Sequence, residues 1–435
     1  MADTAPPSTP TALNATAASS TSVQLQWAAS TDNVAVTGYR VYRDGSQVAT
    51  ATTTQYTATG LSPSTGYAFH VVAIDAAGNL SGASASATAT TPSALSITNA
   101  SLGATSLTVT GNGFGTKSQA APLKFEDFDN WATGAVPSTF GYRNYGGFGG
   151  STAVDDSTAF SGTKSLLHQG HFGPVSGNDV EESFPHIAVT GFSSQALYLS
   201  YRIKFNSNGG RLTQLKFNRS GMELGGDCYG GSPKFYSSYY STNPTSNRYG
   251  ADKSLSGGVQ GGILRRDGTR DEGWAGQASM GSGTVIPLQE NVWYQVEEYY
   301  RLNDIGQSNG QHHTWVNGNL QIHRNALQVR TDASHLLNCS YLVIGMDYWL
   351  NPTSTKGVSV WYDDHYLDTS RARLVLANAA TWAAATQRTP LPATAWSSNS
   401  ITASLRRSGF AAGSAWLYVV DAGGAVSNGW PVTLP

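Results

Sequence analysis

Charge is scarce in this sequence. Lys, Arg, Asp and Glu make up 12% of its 435 residues and nearly cancel, leaving a formal net charge of -2. Such a chain has no electrostatic footprint for nucleic acid or an anionic membrane surface. Long apolar runs are missing too. No stretch approaches the ~20 residues that cross a bilayer as a helix, so membrane insertion is not expected. The opening Met1-Ala2-Asp3-Thr4-Ala5-Pro6-Pro7 has neither the basic nor the apolar segment of a signal peptide. A secreted protein with this opening has lost its leader or leaves the cell by another route, such as within a phage particle. Cysteine is limited to Cys228 and Cys339. Their spacing excludes a paired-cysteine zinc site and leaves one disulfide or two buried thiols open. No amphipathic helix and no Gly-x-Ser-x-Gly elbow is visible. The glycines at 146–150 lack the Lys-Ser/Thr of a phosphate loop.

Glycine is plentiful, at 48 residues, and aromatics make up 11%. With abundant Ser, Thr and Ala, this composition fits stacked sheets joined by short loops. The length allows two to four domains. Residues 1–22 read as a Pro/Thr/Ser/Ala-rich linker entering a first strand. Alternating runs follow at Val23–Trp27, Gly38–Arg43 and Tyr67–Ala73, and Asp44-Gly45 signals a two-residue hairpin. Leu61 and Tyr67 have the spacing of a tyrosine corner. With Trp27 and the closing Asp75-Ala76-Ala77-Gly78-Asn79, the stretch 5–92 resembles bacterial fibronectin type III modules. That resemblance implies a sandwich over residues 1–94 that acts as spacer or docking module and carries no chemistry.

Ile97-Thr98-Asn99-Ala100 and Leu107–Gly115 resemble the first two strands of an IPT/TIG immunoglobulin-like domain. The remaining pieces return only after residue 370, as Ala372–Leu376, Ala395-Trp396-Ser397 with Ser400–Ala403, and Ala415–Asp421. We therefore expect a split Ig-like sandwich, 95–119 plus 370–435, with residues 120–369 inserted in one of its loops. Two independent pieces are the alternative, each too short to bury a core.

The insert alternates again at Ala196–Phe205, Trp293–Asn303 and Val358–Asp368, and Asn317-Gly318 marks another hairpin tip. An all-β, two-sheet jelly roll accounts for about 250 such residues. Leu199–Phe205, Gly209–Leu212, Trp293–Glu297 with Arg301-Leu302-Asn303, Asn309-Gly310, Trp315–Gly318 and Tyr362-Asp363-Asp364 resemble the concanavalin-like jelly roll of glucuronan and alginate lyases. Full alginate-lyase signature motifs are absent; Gln321-Ile322-His323 is a fragment of one.

What the resemblance implies is β-elimination from a uronic-acid glycoside. One group neutralises the carboxylate, a base takes the proton alpha to it, and an acid protects the leaving oxygen. Arg211, Gln214, Gln295, Tyr299, His313 and Tyr348 are the candidates for these roles, and Lys216, Arg219, Arg301, Trp274 and Trp349 for substrate binding. Gln295, Glu297, Tyr299 and Arg301 share one face of a strand by alternation, and His312-His313 precede the Trp315 hairpin. Each has an ordinary alternative as surface decoration or packing. Residues 201–330 hold 14 Lys+Arg against 10 Asp+Glu, a local excess that suits an anionic polysaccharide, and sugar faces stack on the flat rings present. A retaining hydrolase is disfavoured because no Glu-x-Asp-x-Glu string occurs and the adjacent Glu297-Glu298 face opposite sides.

Acidic residues bracket the insert. Glu126, Asp129, Asp363 and Asp364 offer hard oxygens to a structural Ca²⁺; a solvated acidic turn is the other reading. No organic cofactor is expected. The sequence thus points to an extracellular or surface-attached carbohydrate-active protein, a polysaccharide lyase first. The alternatives are a glycan-binding or adhesion protein of a cell or virion surface, attached through its Ig-like modules, and a glycoside hydrolase.

Overall fold

The computed structural model describes residues 3–138, 140–144, 151–169, 179–182, 185–206, 214–221, 234–241, 253–260, 289–328, 330, 332–349 and 359–435. It forms two compact units, Met1–Thr98 with Thr110–Gly115, and Asn99–Val109 with Thr116–Pro435. The fold is all-β. Among the described residues the one helical element is a 3-10 turn at Trp382–Ala384.

The first unit is a sandwich of β1 (Thr11–Ser19), β2 (Ser22–Ala28), β3 (Val36–Arg43), β4 (Ser46–Ala51), β5 (Gln55–Ala58), β6 (Gly66–Asp75) and β7 (Ala87–Thr90). Its sheets run β1-β2-β5 and β4-β3-β6-β7. Alternation puts Val23, Leu25 and Trp27 of β2 inside, against Tyr39 and Val41 of β3 and Phe69, Val71 and Ala73 of β6. Asp44 and Gly45 both have positive φ, 49° and 81°, as the two-residue turn between β3 and β4 requires. The tyrosine corner is formed: the Ser62 N–H donates to the Tyr67 hydroxyl oxygen at 2.8 Å. Tyr67→Phe should cost this module about 0.5–1.5 kcal/mol, read as a lower urea midpoint of its unfolding transition.

Next along the chain is the hairpin β8 (Ser96–Leu102) and β9 (Ser106–Asn112), of which residues 99–102 and 106–109 belong to the second unit. Then come β10 (Lys124–Glu126), β11 (Gly141–Asn144), β12 (Ser151–Asp155), β13 (Ser165–Gln169), β14 (Asp179–Glu182), β15 (Pro185–Ser194), β16 (Ala196–Asn206) and β17 (Gln214–Gly221). They are followed by β18 (Lys234–Ser241), β19 (Lys253–Gln260), β20 (Tyr294–Arg301), β21 (Gly310–Val316), β22 (Asn319–Leu327), β23 (Leu337–Trp349) and β24 (Ser359–Asp368). An eight-stranded sheet runs β12-β13-β24-β16-β20-β21-β22, with β10 beside β24. A seven-stranded sheet runs β11-β15-β23-β17-β18-β19, with β14 beside β23. Leu197, Leu199, Tyr201, Ile203 and Phe205 of β16 and Val296 and Tyr300 of β20 share one core with Leu337 of β23, and Val189 and Phe192 of β15 pack against it.

The last strands are β25 (Arg373–Ala377), β26 (Arg388–Leu391), β27 (Ala393–Trp396), β28 (Ser400–Ser404), β29 (Gly413–Val420) and β30 (Trp430–Leu434). They make two four-stranded sheets, β26-β25-β29-β30 and β27-β28-β9-β8. Strands that precede the jelly roll therefore share a sheet with strands that follow it. The Thr108 and Thr402 hydroxyls meet at 3.3 Å across that join. Cys339 on β23 is disulfide-bonded; Cys228 lies outside the described residues.

Candidate functional site

Strand β20 has two chemically distinct faces. Tyr294, Val296 and Tyr300 enter the jelly-roll core. Gln295, Glu297 and Tyr299 point the other way, and there the small sandwich covers them. Gln295 is 1% exposed. Its Oε1 accepts the Arg388 N–H at 3.0 Å, and its Nε2 donates to the Arg388 carbonyl and to Ser200 Oγ at 3.2 Å. The amide thus completes the backbone pairing at the start of β26. Gly318, at φ 77°, lets the β21–β22 turn pass beneath this segment; a Cβ there would stand 2.8 Å from the Ala385 carbonyl oxygen.

Glu297 sits at the centre of the seam. Its Oε1 accepts the Tyr198 hydroxyl at 2.6 Å and Arg373 Nη2 at 3.3 Å, with both charged side chains buried. The Arg373 guanidinium lies 3.9 Å from the Tyr198 ring centroid. Arg202 reaches across to Thr389 Oγ1 at 3.1 Å. Burial pulls its pKa down to about 10, against Asp364, Glu297 and Asp363. Tyr299 is buried under Arg371, whose guanidinium is 4.9 Å from its ring; burial raises its pKa, with Arg371 and Arg301 opposing. Arg301, at the edge, bonds Asp304 and the Asn309 carbonyl.

His313, paired across the ladder with Tyr299, bonds Asn325 Oδ1 through Nε2 at 3.0 Å and lies 4.7 Å, ring to ring, from His323. Burial pulls its pKa down to about 4; the Asn325 bond opposes this, and Arg371 and His323 add to it. Unfolded, it titrates near 6.5. Between those values the unfolded chain binds the extra proton, so stability falls as pH falls through that window. Asp363, which burial and then Asp364 push up to about 8, acts oppositely. Its folded form holds the proton, and that contribution is lost as pH rises from about 4 to 8. The comparison that isolates the histidine is wild type against His313→Gln. The substitution should remove up to ~1.4 kcal/mol per pH unit of acid destabilisation, measured by urea unfolding across that window. Equal pH slopes would mean that His313 charges freely in the folded state.

The structure therefore separates the residues that the sequence groups together. Gln295, Tyr299, His313 and Arg301 belong to the eight-stranded sheet and its covered side. Gln214, Lys216 and Arg219 lie on β17 and Tyr348 and Trp349 on β23, in the seven-stranded sheet. Lys216 pairs with Ser238 and Gly345, and Arg219 with Tyr236 and Tyr341. Gln214 pairs with Tyr240. Arg211 and Trp274 lie outside the described residues.

The four carboxylates proposed for a cation are near in sequence to one seam but are largely engaged. Asp129 Oδ1 accepts the Thr163 and Lys164 N–H groups at 2.7 and 3.0 Å. Asp363 Oδ2 accepts those of Phe160 and Ser161, both at 2.9 Å. Glu126 accepts the Phe128 N–H and stands 3.5 Å from Lys124 Nζ. Asp364 Oδ1 accepts the Ser161 hydroxyl at 2.9 Å. Among the described residues these four do not supply three oxygens within 4.8 Å of one another; Asp3, Asp32 and Asp75 of the first unit do. The trio comes from three separate stretches of chain, the last of them the Asp-Ala-Ala-Gly-Asn run that Asp75 opens.

A cleft of about 330 Å³ opens where the Asp127–Asp129 and Phe160–Gly162 segments meet Asp364 and residues 406–410. Arg406 bridges it to Asp127 at 2.8 Å.

Comparison with known proteins bears first on the N-terminal module. Residues 8–90 match the model of the fibronectin type III domain. An alpha-amylase of Niallia circulans is 52% identical over 96 residues, 22% of this chain and 7% of that protein. Exoglucanase B of Cellulomonas fimi is 48% identical over 116 residues, 25% of this chain and 11% of its own length. Chitinase Chi52 of Paenibacillus xylanexedens is 56% identical over 89 residues, 20% and 17% of the two chains. The chain thus spans less than a fifth of these relatives. Among solved structures, alginate lyase Aly36B is similar over 57% of this chain and 97% of its own, at 15% identity and TM-score 0.37. The endo-beta-1,4-glucuronan lyase of the fungus Trichoderma reesei covers 56% and 96%, at 12% identity and TM-score 0.38.

Proposed function

We propose that the chain is an extracellular carbohydrate-active protein whose jelly roll cleaves a uronic-acid-containing polysaccharide by β-elimination. The observation that supports this reading is the ladder register, in which Gln214 of β17 stands opposite Tyr240 of β18 and Lys216 follows two residues along the same strand. That stretch of the ladder carries Gln, Lys and Tyr, residue types whose groups neutralise a carboxylate and move a proton. The local basic excess of residues 201–330 supports an anionic polymer. The fibronectin module is of the kind found in an exoglucanase and a chitinase, and a disulfide at Cys339 suits an oxidising compartment.

Incubation with alginate, glucuronan, pectate or a glycosaminoglycan should raise the ultraviolet absorbance of unsaturated uronate ends on one of them. No rise on any, with reducing ends released from a neutral glycan, would replace the lyase by a hydrolase. No product of either kind, with the glycan recovered intact from a tight complex, would make this a binding protein.

A further inference from the structure

The outer face of the eight-stranded sheet continues beyond the part that the small sandwich covers. There the ladder aligns Leu167 with Trp361 and Trp361 with Lys204. Trp293 comes next, one residue before Tyr294, which pairs with Ile203. Leu167, Trp361, Lys204 and Trp293 are all partly exposed, whereas Gln295 and Glu297 on the same face are buried. Lys204 Nζ stands 4.7 Å from the Trp361 ring centroid and 5.5 Å from that of Trp293. Two strand spacings separate the indoles, roughly 10 Å.

The row is braced from behind. Trp361 Nε1 donates to Asp155 Oδ2 at 3.0 Å. Phe160 meets Trp293 edge-on at 6.1 Å and carries the Arg202 guanidinium 4.1 Å from its own ring centroid. Lys204 Nζ donates to Thr158 Oγ1 at 2.7 Å, a neutral partner. Among the described residues no carboxylate lies within ion-pair distance of it. Asp155, the acid that acts on it electrostatically, is held by Trp361 and by the Ser157 N–H and hydroxyl. An ammonium between two fixed indoles is short of anionic partners and flanked by flat apolar surface.

We propose that this Trp293–Lys204–Trp361 row is a second polysaccharide-binding site, one that takes a carboxylate-bearing chain. The indoles receive the C–H faces of two sugar rings and Lys204 the carboxylate between them. The site lies on a different sheet from Gln214 and Lys216. It rests on the proposed substrate class, but not on catalysis.

Affinity electrophoresis of the full chain through gels containing alginate or pectate tests it. Wild type should be retarded, and Lys204→Gln and Trp361→Ala should each raise the apparent Kd about tenfold, as loss of one well-formed contact does. Matching urea midpoints establish that the variants are folded, and Lys204→Gln, which keeps the stem, guards against a collapsed Trp361 variant. Equal retardation of wild type and Lys204→Gln overturns the proposal, as does retardation by a neutral glucan as strong as by pectate. Retardation that depends on Lys204 without unsaturated product from any polymer would uphold this site and remove the lyase reading. Unchanged cleavage of short soluble uronates by Lys204→Gln, with retardation lost, would uphold both.

Discussion

Glu297→Gln is expected to lower the unfolding free energy of the large unit by about 3–5 kcal/mol, the usual result of removing one partner of a buried ion pair. The reason is the crowd around this carboxylate. It accepts Arg373 and Tyr198 directly, and Arg202, Arg371 and Arg388 all feel its charge. Neutralising it leaves several half-dehydrated guanidiniums facing one another. Arg373→Met should cost a similar amount, because it strands the carboxylate. The double variant should lose clearly less than the sum, since the two side chains act on each other. Urea unfolding followed by tryptophan fluorescence would read all three. Additive losses below about 1 kcal/mol each would show that solvent reaches the seam and screens the pair.

That seam also explains which parts of the molecule could be read from sequence. The alternation of β20 is local, so its division into faces was legible, as were the turns at Asp44-Gly45 and Asn317-Gly318, whose positive φ angles belong to the residue types themselves. The identity of the open face was not legible. Gln295 is closed off by Arg388, a residue 93 positions away, and nothing in the local pattern of either announces the meeting. A wet-face glutamine and an interdomain glutamine have the same neighbours in sequence. The hydrogen-bond partners of the acidic bracket were not legible for a related reason. Asp129 and Asp363 look like free ligands until the 160–164 turn delivers its N–H groups to them, and a turn's donors are set by backbone conformation, which composition does not specify. Conversely, Trp293, Lys204 and Trp361 come from three separate runs, and only the ladder register makes them a row.

The division between the two sheets sets up the sharpest contrast in behaviour. On the proposed lyase reading, Lys216→Ala and Gln214→Ala should lower kcat on the uronate polymer that the chain cleaves by about 10²–10⁴-fold, the range for losing a group that moves a proton or holds developing charge. Their urea midpoints should stay close to wild type. Gln295→Ala should do the reverse. It leaves the Arg388 N–H and carbonyl without the amide that pairs them, which costs about 2–4 kcal/mol for two buried groups. The kcat of the folded fraction should change by less than about threefold, a shift below 1 kcal/mol in the barrier. Measuring rate at saturating polymer together with unfolding on the same preparations separates the two. A Gln295→Ala protein of normal stability and collapsed kcat would place the reaction on the β20 side and dismiss β17. A Lys216→Ala protein with full kcat and a raised KM would leave that residue a binding role, with proton transfer assigned to other groups of the same sheet.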